Sequence, residues 1–201
     1  MLKKFVSGIM AGILIAIGGT VFLSCEDKTT GAVLFAVALL CICIEGYSLY
    51  TGRICYIPEK HDKDAVSGLF LGLLGNFVAT FLCARAIIYA MPAVGEKANA
   101  MCALKLTQTV PATFVRAVFC GILIFLAVDI YKRKDRVVGI LFAIPVFILS
   151  GYEHSIADMY YFAASGIYTW QTLLFVVNVL LGNTVGGMLL PVLSRLGRKD
   201  K

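Results

Sequence analysis

The sequence predicts an all-α integral membrane protein whose six transmembrane helices form two inverted three-helix repeats. Composition is the first reason: 60 % of the 201 residues are hydrophobic and 15 % are charged, whereas soluble domains carry about 25 % charged residues. Duplication is the second: Gly46-Tyr47 recurs as Gly151-Tyr152, about 105 residues later, and a second glycine phrase recurs in the same way. Residues 1–201 are therefore expected to form one transmembrane domain, with repeats at about 1–100 and 101–201.

Six apolar segments have the length that a membrane span requires, about 20 residues. The first follows Lys3 and Lys4, but its apolar run is too long for a signal peptide and no small-residue cleavage site follows it. Because three spans per repeat are an odd number, the second repeat enters the membrane upside down relative to the first. The six segments are 5–25, 31–50, 65–91, 112–131, 137–167 and 169–196.

The second segment of each repeat is interrupted by glycine and polar residues. In the first repeat the apolar run gives way at residues 45–52, and in the second, residues 150–154 divide an apolar segment. Non-helical backbone inside a bilayer is stable only where it is buried in protein or lines a cavity, because lipid offers its amides no partner. The second and fifth helices are therefore predicted to be broken, with a passage at the repeat interface.

Glycines four residues apart predict close contacts between helices. Such pairs occur in the first, third and sixth segments, and they permit two helix backbones to approach. They indicate tight packing and carry no chemistry. The pairs are Gly8/Gly12, Gly68/Gly72 and Gly182/Gly186.

Basic residues are concentrated on one predicted side of the membrane. With the N-terminus in the cytoplasm, thirteen of the 18 Lys and Arg residues are cytoplasmic, as the positive-inside rule requires. Of the others, Lys28, Lys97 and Lys105 fall outside, and Arg85 and Arg116 lie near outer helix ends, from which their side chains reach water. The net charge of +6 thus indicates topology, with both termini cytoplasmic in a multi-pass bacterial plasma-membrane protein. The thirteen residues are Lys3, Lys4, Arg53, Lys60, Lys63, Lys132, Arg133, Lys134, Arg136, Arg195, Arg198, Lys199 and Lys201.

No sequence pattern indicates a metal, nucleotide or nucleic-acid site. The seven cysteines lie mostly in apolar segments, without CxxC pairs or histidines at metal-ligand spacing. They are interpreted as small hydrophobic side chains. The sequence also lacks a phosphate-binding loop, a dinucleotide fingerprint and a base-stacking basic patch. No cofactor is therefore expected.

His154 is the candidate functional residue, because an ionisable group inside a membrane span is a functional candidate by default. It lies beside the second helix break, next to Glu153 and four residues before Asp158. A lone histidine on an apolar face is also a common core residue, so both interpretations stay open. The protonation state is open as well: a helix N-terminus disfavours an imidazolium, whereas the two carboxylates favour it.

Four phrases, in order along nearly the whole chain, resemble motifs of the formate/nitrite transporter family. Residues 151–159 (Gly-Tyr-Glu-His-Ser-Ile-Ala-Asp-Met) resemble its central motif, and residues 182–187 resemble its sixth-helix motif. Gly75-Asn76 is similar to its third-helix motif and residues 49–51 to the loop that breaks its second helix. The resemblance implies an aquaporin-like protomer, with five protomers side by side and one pore in each.

The resemblance also implies roles for individual residues. His154 matches the central pore histidine, Lys105 the vestibule lysine and Thr51 the loop threonine that faces the histidine. Two hydrophobic constrictions are expected, Leu49 with Phe147 on the outer side of the histidine and Phe35 with Leu39 on the cytoplasmic side. Glu153, Asp158 and Asn183, which belong to the matched motifs, complete the predicted set of pore residues.

Some positions depart from the family pattern. Asp158 stands where the family usually has asparagine, Gly121 replaces an asparagine of the fourth helix, and Tyr50 replaces a phenylalanine. The chain is also short and lacks the N-terminal interfacial helix. An ionised Asp158 would repel anions, so a structural or sensory subunit with a non-conducting pore is an alternative.

The predicted function is a channel for small monovalent anions of weak acids: formate first, then nitrite, hydrosulfide or short carboxylates. Lys105 and a half-helix dipole are expected to attract the anion, which crosses the constrictions as the neutral acid with His154 as proton source or relay. Its expected partners are the anion, protons and membrane lipid. The chain is not expected to be an enzyme. An intramembrane hydrolase using Ser155 or Ser150 with His154 and Asp158 is a rival, disfavoured because neighbouring side chains on one turn rarely align for catalysis.

Overall fold

The computed structural model describes residues 1–197, and their regular secondary structure is entirely α-helical. Nine helices follow one another along these residues: α1 (Leu2–Ser24), α2 (Lys28–Glu45), α3 (Tyr50–Ile54), α4 (Lys63–Ala90), α5 (Pro92–Lys105), α6 (Val110–Lys134), α7 (Val138–Leu149), α8 (Ser155–Ser165) and α9 (Trp170–Gly197). Arg198, Lys199 and Lys201, which were counted in the predicted topology, lie outside the described residues.

The helices reproduce the predicted spans and their interruptions. Five of them, α1, α2, α4, α6 and α9, are long and apolar enough to cross a membrane. The sixth predicted span consists of α7 and α8 with a break between them, and the second span continues after its own break as α3. The predicted fold class, a membrane bundle with broken second and fifth spans, is confirmed.

The two breaks have the same backbone geometry. Gly46 ends α2 with φ 69°, and Gly151, which follows the end of α7, has φ 69° as well. Left-handed φ values cost little for glycine because it has no Cβ. Leu49 and His154 then occupy equivalent positions, as the residues that precede the first turns of α3 and α8. The recurring glycine phrase in the sequence therefore encodes a recurring turn.

Small residues bring α1 against α4 and, in the same manner, α6 against α9. A Cβ added to Gly12 would lie 2.7 Å from the Ala79 Cβ, and one added to Gly121 would lie 2.8 Å from the Gly187 nitrogen. These distances are too short for a side chain, so the backbones meet directly, as small-residue interfaces allow. Gly121, one of the departures from the family pattern, is thus a packing residue between α6 and α9.

Helix α5 was not predicted. Its 14 residues are too few to span a membrane and include Glu96, Lys97 and Asn99, so a search for long apolar segments passes over it. Pro92 starts the helix, where its missing N–H costs nothing. The Asn99 side chain donates a hydrogen bond to the Ser165 carbonyl, 2.9 Å away, which ties α5 to α8. The last residue of α5 is Lys105.

The bundle has two distinguishable ends. At one, which we call the terminal end, Lys4 of α1 pairs with Asp64 of α4 at 2.5 Å, and Arg133 of α6 pairs with Glu59 at 3.1 Å. Arg195, near the end of α9, donates to the Pro58 carbonyl there. The opposite end carries α5 and is called the α5 end.

Candidate functional site

Asn76 of α4 holds the first break in place. Its Oδ1 accepts a hydrogen bond from the Tyr50 amide at 3.0 Å, while its Nδ2 donates to the Ser48 and Gly8 carbonyls at 2.9 and 2.8 Å. Asn76 is fully buried. One side chain therefore satisfies backbone groups that the interrupted helix leaves without partners, which a lipid environment could not do.

Asn183 of α9 does the same for the second break. Its Oδ1 accepts from the Ser155 amide at 2.8 Å, and its Nδ2 donates to the Glu153 and Ala117 carbonyls, each at 2.8 Å. The two asparagines thus make matched contacts in the two repeats. Asn183, predicted as a pore residue, is buried, and its bonds to the residues on either side of His154 fix the position of the histidine.

His154 and Thr51 meet where the two breaks face each other. The Nε2 of His154 lies 2.8 Å from the Thr51 Oγ1, and both residues are buried. The other ring nitrogen, Nδ1, accepts a hydrogen bond from the Ala157 amide at 3.2 Å. The predicted proximity of this threonine and this histidine is therefore present in the structure.

These contacts assign the histidine tautomer. A backbone amide can only donate, so Nδ1 of His154 must present a lone pair and the ring proton lies on Nε2, which donates to Thr51. An imidazolium would direct a second N–H at the Ala157 amide. The structure therefore favours a neutral ring, which the sequence left open.

The four predicted constriction residues group differently from the prediction. Phe147 lies against the His154 ring, with ring centroids 5.8 Å apart, and the Phe35 ring meets Phe147 edge-on at 6.5 Å. Leu39 and Leu49 instead line a separate cavity on the other side. The predicted pairs, Leu49 with Phe147 and Phe35 with Leu39, are thus wrong. Phe35 and Leu39 are one helical turn apart along the same span, so they lie at different depths.

Two cavities lie on either side of the central pair. The larger, about 420 Å³, opens toward the α5 end and includes His154 and both phenylalanines in its lining; we call it the vestibule. The smaller, about 110 Å³, is lined by Leu39, Leu49 and basic side chains of the terminal end, Arg53 and Lys132. An aromatic ring pair and a leucine pair therefore flank the histidine, one on each side.

Lys105 lies in the vestibule, in contact with two acids. Its Nζ pairs with Glu153 and, at 3.0 Å, with the Asp158 Oδ1. The three side chains are 14, 3 and 1 % exposed, respectively. Lys105 is thus ion-paired with carboxyl groups, and its predicted role as a charge that attracts anions stays a prediction.

Two residues of the vestibule were not among the pore residues predicted from the sequence. Gln108 donates from Nε2 to the Glu153 Oε1 at 2.8 Å, and its own Oε1 accepts from the Thr113 hydroxyl at 3.2 Å. Arg116 donates to the Gly151 carbonyl at 3.4 Å, lines the vestibule, and pairs with no carboxylate among residues 1–197. Arg116 follows Thr113 by three residues, so both lie on one face of α6. This spacing is visible in the sequence and could have identified Arg116 as a neighbour of Thr113.

The side chains named for a hydrolase are not arranged for one. The Ser155 hydroxyl has no hydrogen-bond partner among the residues that the structure describes, and both nitrogens of His154 are bonded to other groups. The Asp158 side chain pairs with Lys105, and its backbone amide, not its carboxyl group, bonds to the histidine, at the His154 carbonyl. These side chains therefore do not form the hydrogen-bonded series of nucleophile, base and acid that a hydrolase needs.

Inverted repeats, broken helices with facing ends and cavities on both sides of a buried polar pair define a multi-pass membrane protein of the transport class. Comparison with known proteins specifies the family. The family model described as "Formate/nitrite transporter" matches residues 1–196. This chain belongs to the formate/nitrite transporter family, whose members are channels and transporters.

Individual relatives agree with this assignment. A "Probable formate transporter" of Methanothermobacter thermautotrophicus is 32 % identical over 236 aligned residues, which cover 92 % of this chain and 84 % of that protein. A structure described as an "FNT family ion channel" superposes with a TM-score of 0.85 at 23 % identity, over 99 % of this chain and 91 % of the other. A "Pentameric formate channel with formate bound" gives a TM-score of 0.83 at 23 % identity, over 97 and 96 %. At that identity the solved structures establish the shared fold.

Proposed function

We propose that this chain is a channel for the small monovalent anions of weak acids, which cross it in neutral, proton-assisted form. Formate is the first candidate because a relative and a structural neighbour are named for it. Nitrite, hydrosulfide and short carboxylates are the others, since apolar rings sort by size and hydrophobicity. The observation that carries the proposal is the position of the Thr51–His154 pair between an aromatic ring pair and a leucine pair.

Magnitudes favour the neutral form. An anion that passed the Phe35–Phe147 contact would lose most of its hydration, at an idealised cost of tens of kcal/mol. Protonating an acid of pKa about 4 at pH 7 costs only about 4 kcal/mol, at about 1.4 kcal/mol per pH unit. Protonation is therefore the cheaper route by a wide margin. The neutral acid then needs only modest polar contacts along the apolar path.

Thr51 and His154 supply those contacts. A neutral imidazole with its proton on Nε2 does not store an extra proton, so His154 acts as a relay and hydrogen-bond partner. The Thr51 hydroxyl, which accepts from Nε2, remains able to donate to a passing acid. The pair thereby offers one polar position halfway between two apolar rings. Of the two roles predicted for the histidine, proton source or relay, the proposal keeps the relay.

The charge distribution supports a cytoplasmic terminal end. Arg53, Lys60, Lys132 and Arg133 lie there with the beginning of α1 and the end of α9, as the positive-inside rule requires. We place the chain in the bacterial plasma membrane, with residues 1–201 as a single channel domain. A homopentamer with one pore per protomer is proposed, by analogy with the neighbour described as pentameric.

Uptake by vesicles tests the proposal. Purified protein is reconstituted, and stopped-flow uptake of formate, nitrite and hydrosulfide is measured at about pH 5 and about pH 7.5, beside empty vesicles and His154→Phe. We expect saturable uptake that is faster at low pH, coupled to proton movement, and lost in the variant. Wild-type rates in His154→Phe would refute the role of the histidine.

The alternative, a non-conducting structural or sensory subunit, predicts no uptake of any of the three anions. One of its two motivating residues, Gly121, has another explanation in the contact between α6 and α9. The other, Asp158, has a different interpretation in the vestibule.

A further inference from the structure

We propose that Glu153 and Asp158 hold one proton between them, carried on the Asp158 Oδ2, and that Asp158 gives this proton to the anion in the vestibule. The inference rests on the proposed function and supplies the proton donor that a neutral His154 does not provide. It assigns to Asp158, a departure from the family pattern, a direct part in transport.

The charge count in the vestibule requires a proton. Among residues 1–197, Lys105 is the one cation that pairs with Glu153 and Asp158, and both carboxyl groups are almost completely buried. If both were ionised, one negative charge would be left uncompensated in a site with little access to water, which is costly. One retained proton makes the cluster of three side chains neutral.

The hydrogen bonds distinguish the two acids. Glu153 accepts at both oxygens, from Lys105 and from the Gln108 Nε2, as a carboxylate does. Asp158 accepts from Lys105 at Oδ1, while its buried Oδ2 has no partner among the described residues. The proton therefore belongs on Asp158 Oδ2. A protonated Oδ2 is a hydrogen-bond donor, and a small oxyanion that enters the vestibule can accept from it.

The other polar groups around Asp158 do not replace it. The thiols of Cys102 on α5 and Cys120 on α6, and the hydroxyl of Tyr161 on α8, are close to the acid pair. Thiols and phenols ordinarily stay protonated at neutral pH. Arg116, at the vestibule wall, is a permanent cation.

The charges of the vestibule define the steps of a transport cycle. With Asp158 protonated, Lys105, Arg116 and Glu153 leave the vestibule with one net positive charge, which attracts an anion. The Asp158 Oδ2–H bond then breaks as an O–H bond forms on the anion. The neutral acid moves on past Phe147, and the new Asp158 carboxylate stays beside Lys105. Water at the α5 end returns a proton to Asp158, so each turn moves one anion and one proton.

Infrared difference spectroscopy tests the resting state, first in the wild-type protein and then in variants that assign the band. At about pH 7.5 the wild-type protein is expected to show the C=O stretch of a buried carboxylic acid. The band should disappear in Asp158→Asn and also in Glu153→Gln, which leaves a single carboxylate paired with Lys105. Asp129→Asn, which removes a carboxylate that pairs with Arg133 at the terminal end, should keep it. A wild-type spectrum without the band would overturn the proposal.

Vesicle uptake tests the transfer itself. Asp158→Asn is expected to lower formate uptake about tenfold or more at about pH 7.5. The loss should be smaller at about pH 5, where more neutral acid reaches the pore from solution. Asp129→Asn should match wild type at both pH values. Equal or faster uptake in Asp158→Asn at the higher pH would show that Asp158 only repels anions. If wild type itself moves no anion, the proposed function fails instead, whereas the infrared result still decides where the proton lies.

Discussion

Because the Asn183 side chain bonds to backbone groups at the second break, the loss of unfolding free energy in Asn183→Leu can be predicted. The leucine is similar in volume and removes three buried hydrogen bonds, to Ser155, Glu153 and Ala117. Hydrogen bonds between membrane helices contribute about 0.6 kcal/mol on average, and those of folded proteins generally about 1 kcal/mol. Three such bonds, with two backbone groups left in an apolar site, amount to about 2 to 4 kcal/mol of unfolding free energy.

The matched control lies on the same helix. Asn178 of α9 makes one hydrogen bond, to the Val110 carbonyl, in an exposed position. Asn178→Leu should therefore change the unfolding free energy by about 0.5 kcal/mol or less. Unfolding by SDS in mixed micelles, followed by the fluorescence of Trp170, the single tryptophan, measures both variants. If Asn183→Leu proves no less stable than Asn178→Leu, the argument that the asparagine satisfies the broken helix is refuted.

Three further predictions concern the centre, the packing and one helix cap. Thr51→Val removes the hydroxyl that His154 contacts, so formate uptake should fall about tenfold with little loss of stability; unchanged uptake would exclude a role for the pair. Gly121→Asn restores the residue usual in the family but inserts a side chain against α9, and SDS titration should show a loss of at least about 1 to 3 kcal/mol; a more stable variant would contradict the packing role. Hydrogen bonds from the Thr30 side chain and amide lower the pKa of Asp27, so its carboxylate stabilises α2 above about pH 4 and this contribution is lost as the pH falls below that value. The stability difference from Asp27→Asn should vanish in acid, and a difference independent of pH would show that the charge is irrelevant.

The helices were largely predictable because their signals are local. Spans are recognised from about 20 consecutive apolar residues, and the breaks from glycine and polar residues within them, so the ends of α2 and α7 follow from residues 45–52 and 150–154. The order of motifs also led to the correct family. Helix α5 was not predicted because it is short and partly polar; in the structure it packs against α8.

The arrangement of the site was less predictable because its contacts join distant parts of the chain. His154 and Thr51 are 103 positions apart, and Lys105 and Glu153 are 48 positions apart. The resemblance to a family named these residues, but it could not show that Lys105 pairs with both Glu153 and Asp158. It also led to the wrong grouping of the constriction residues, since depth in the membrane depends on how α2 and α7 pack together.

The sequence by itself determined that this chain is a duplicated membrane bundle with two interrupted spans and a histidine at one interruption. Hydrophobic length, glycine positions and an internal repeat are properties of short stretches, and each is written in consecutive residues. The tertiary structure alone decided the tautomer of His154, the shared lysine of the two acids and the separation of the aromatic ring pair from the leucine pair. Those features depend on which atoms the folded backbone brings within hydrogen-bond or van der Waals distance, and no single segment of the chain contains that information.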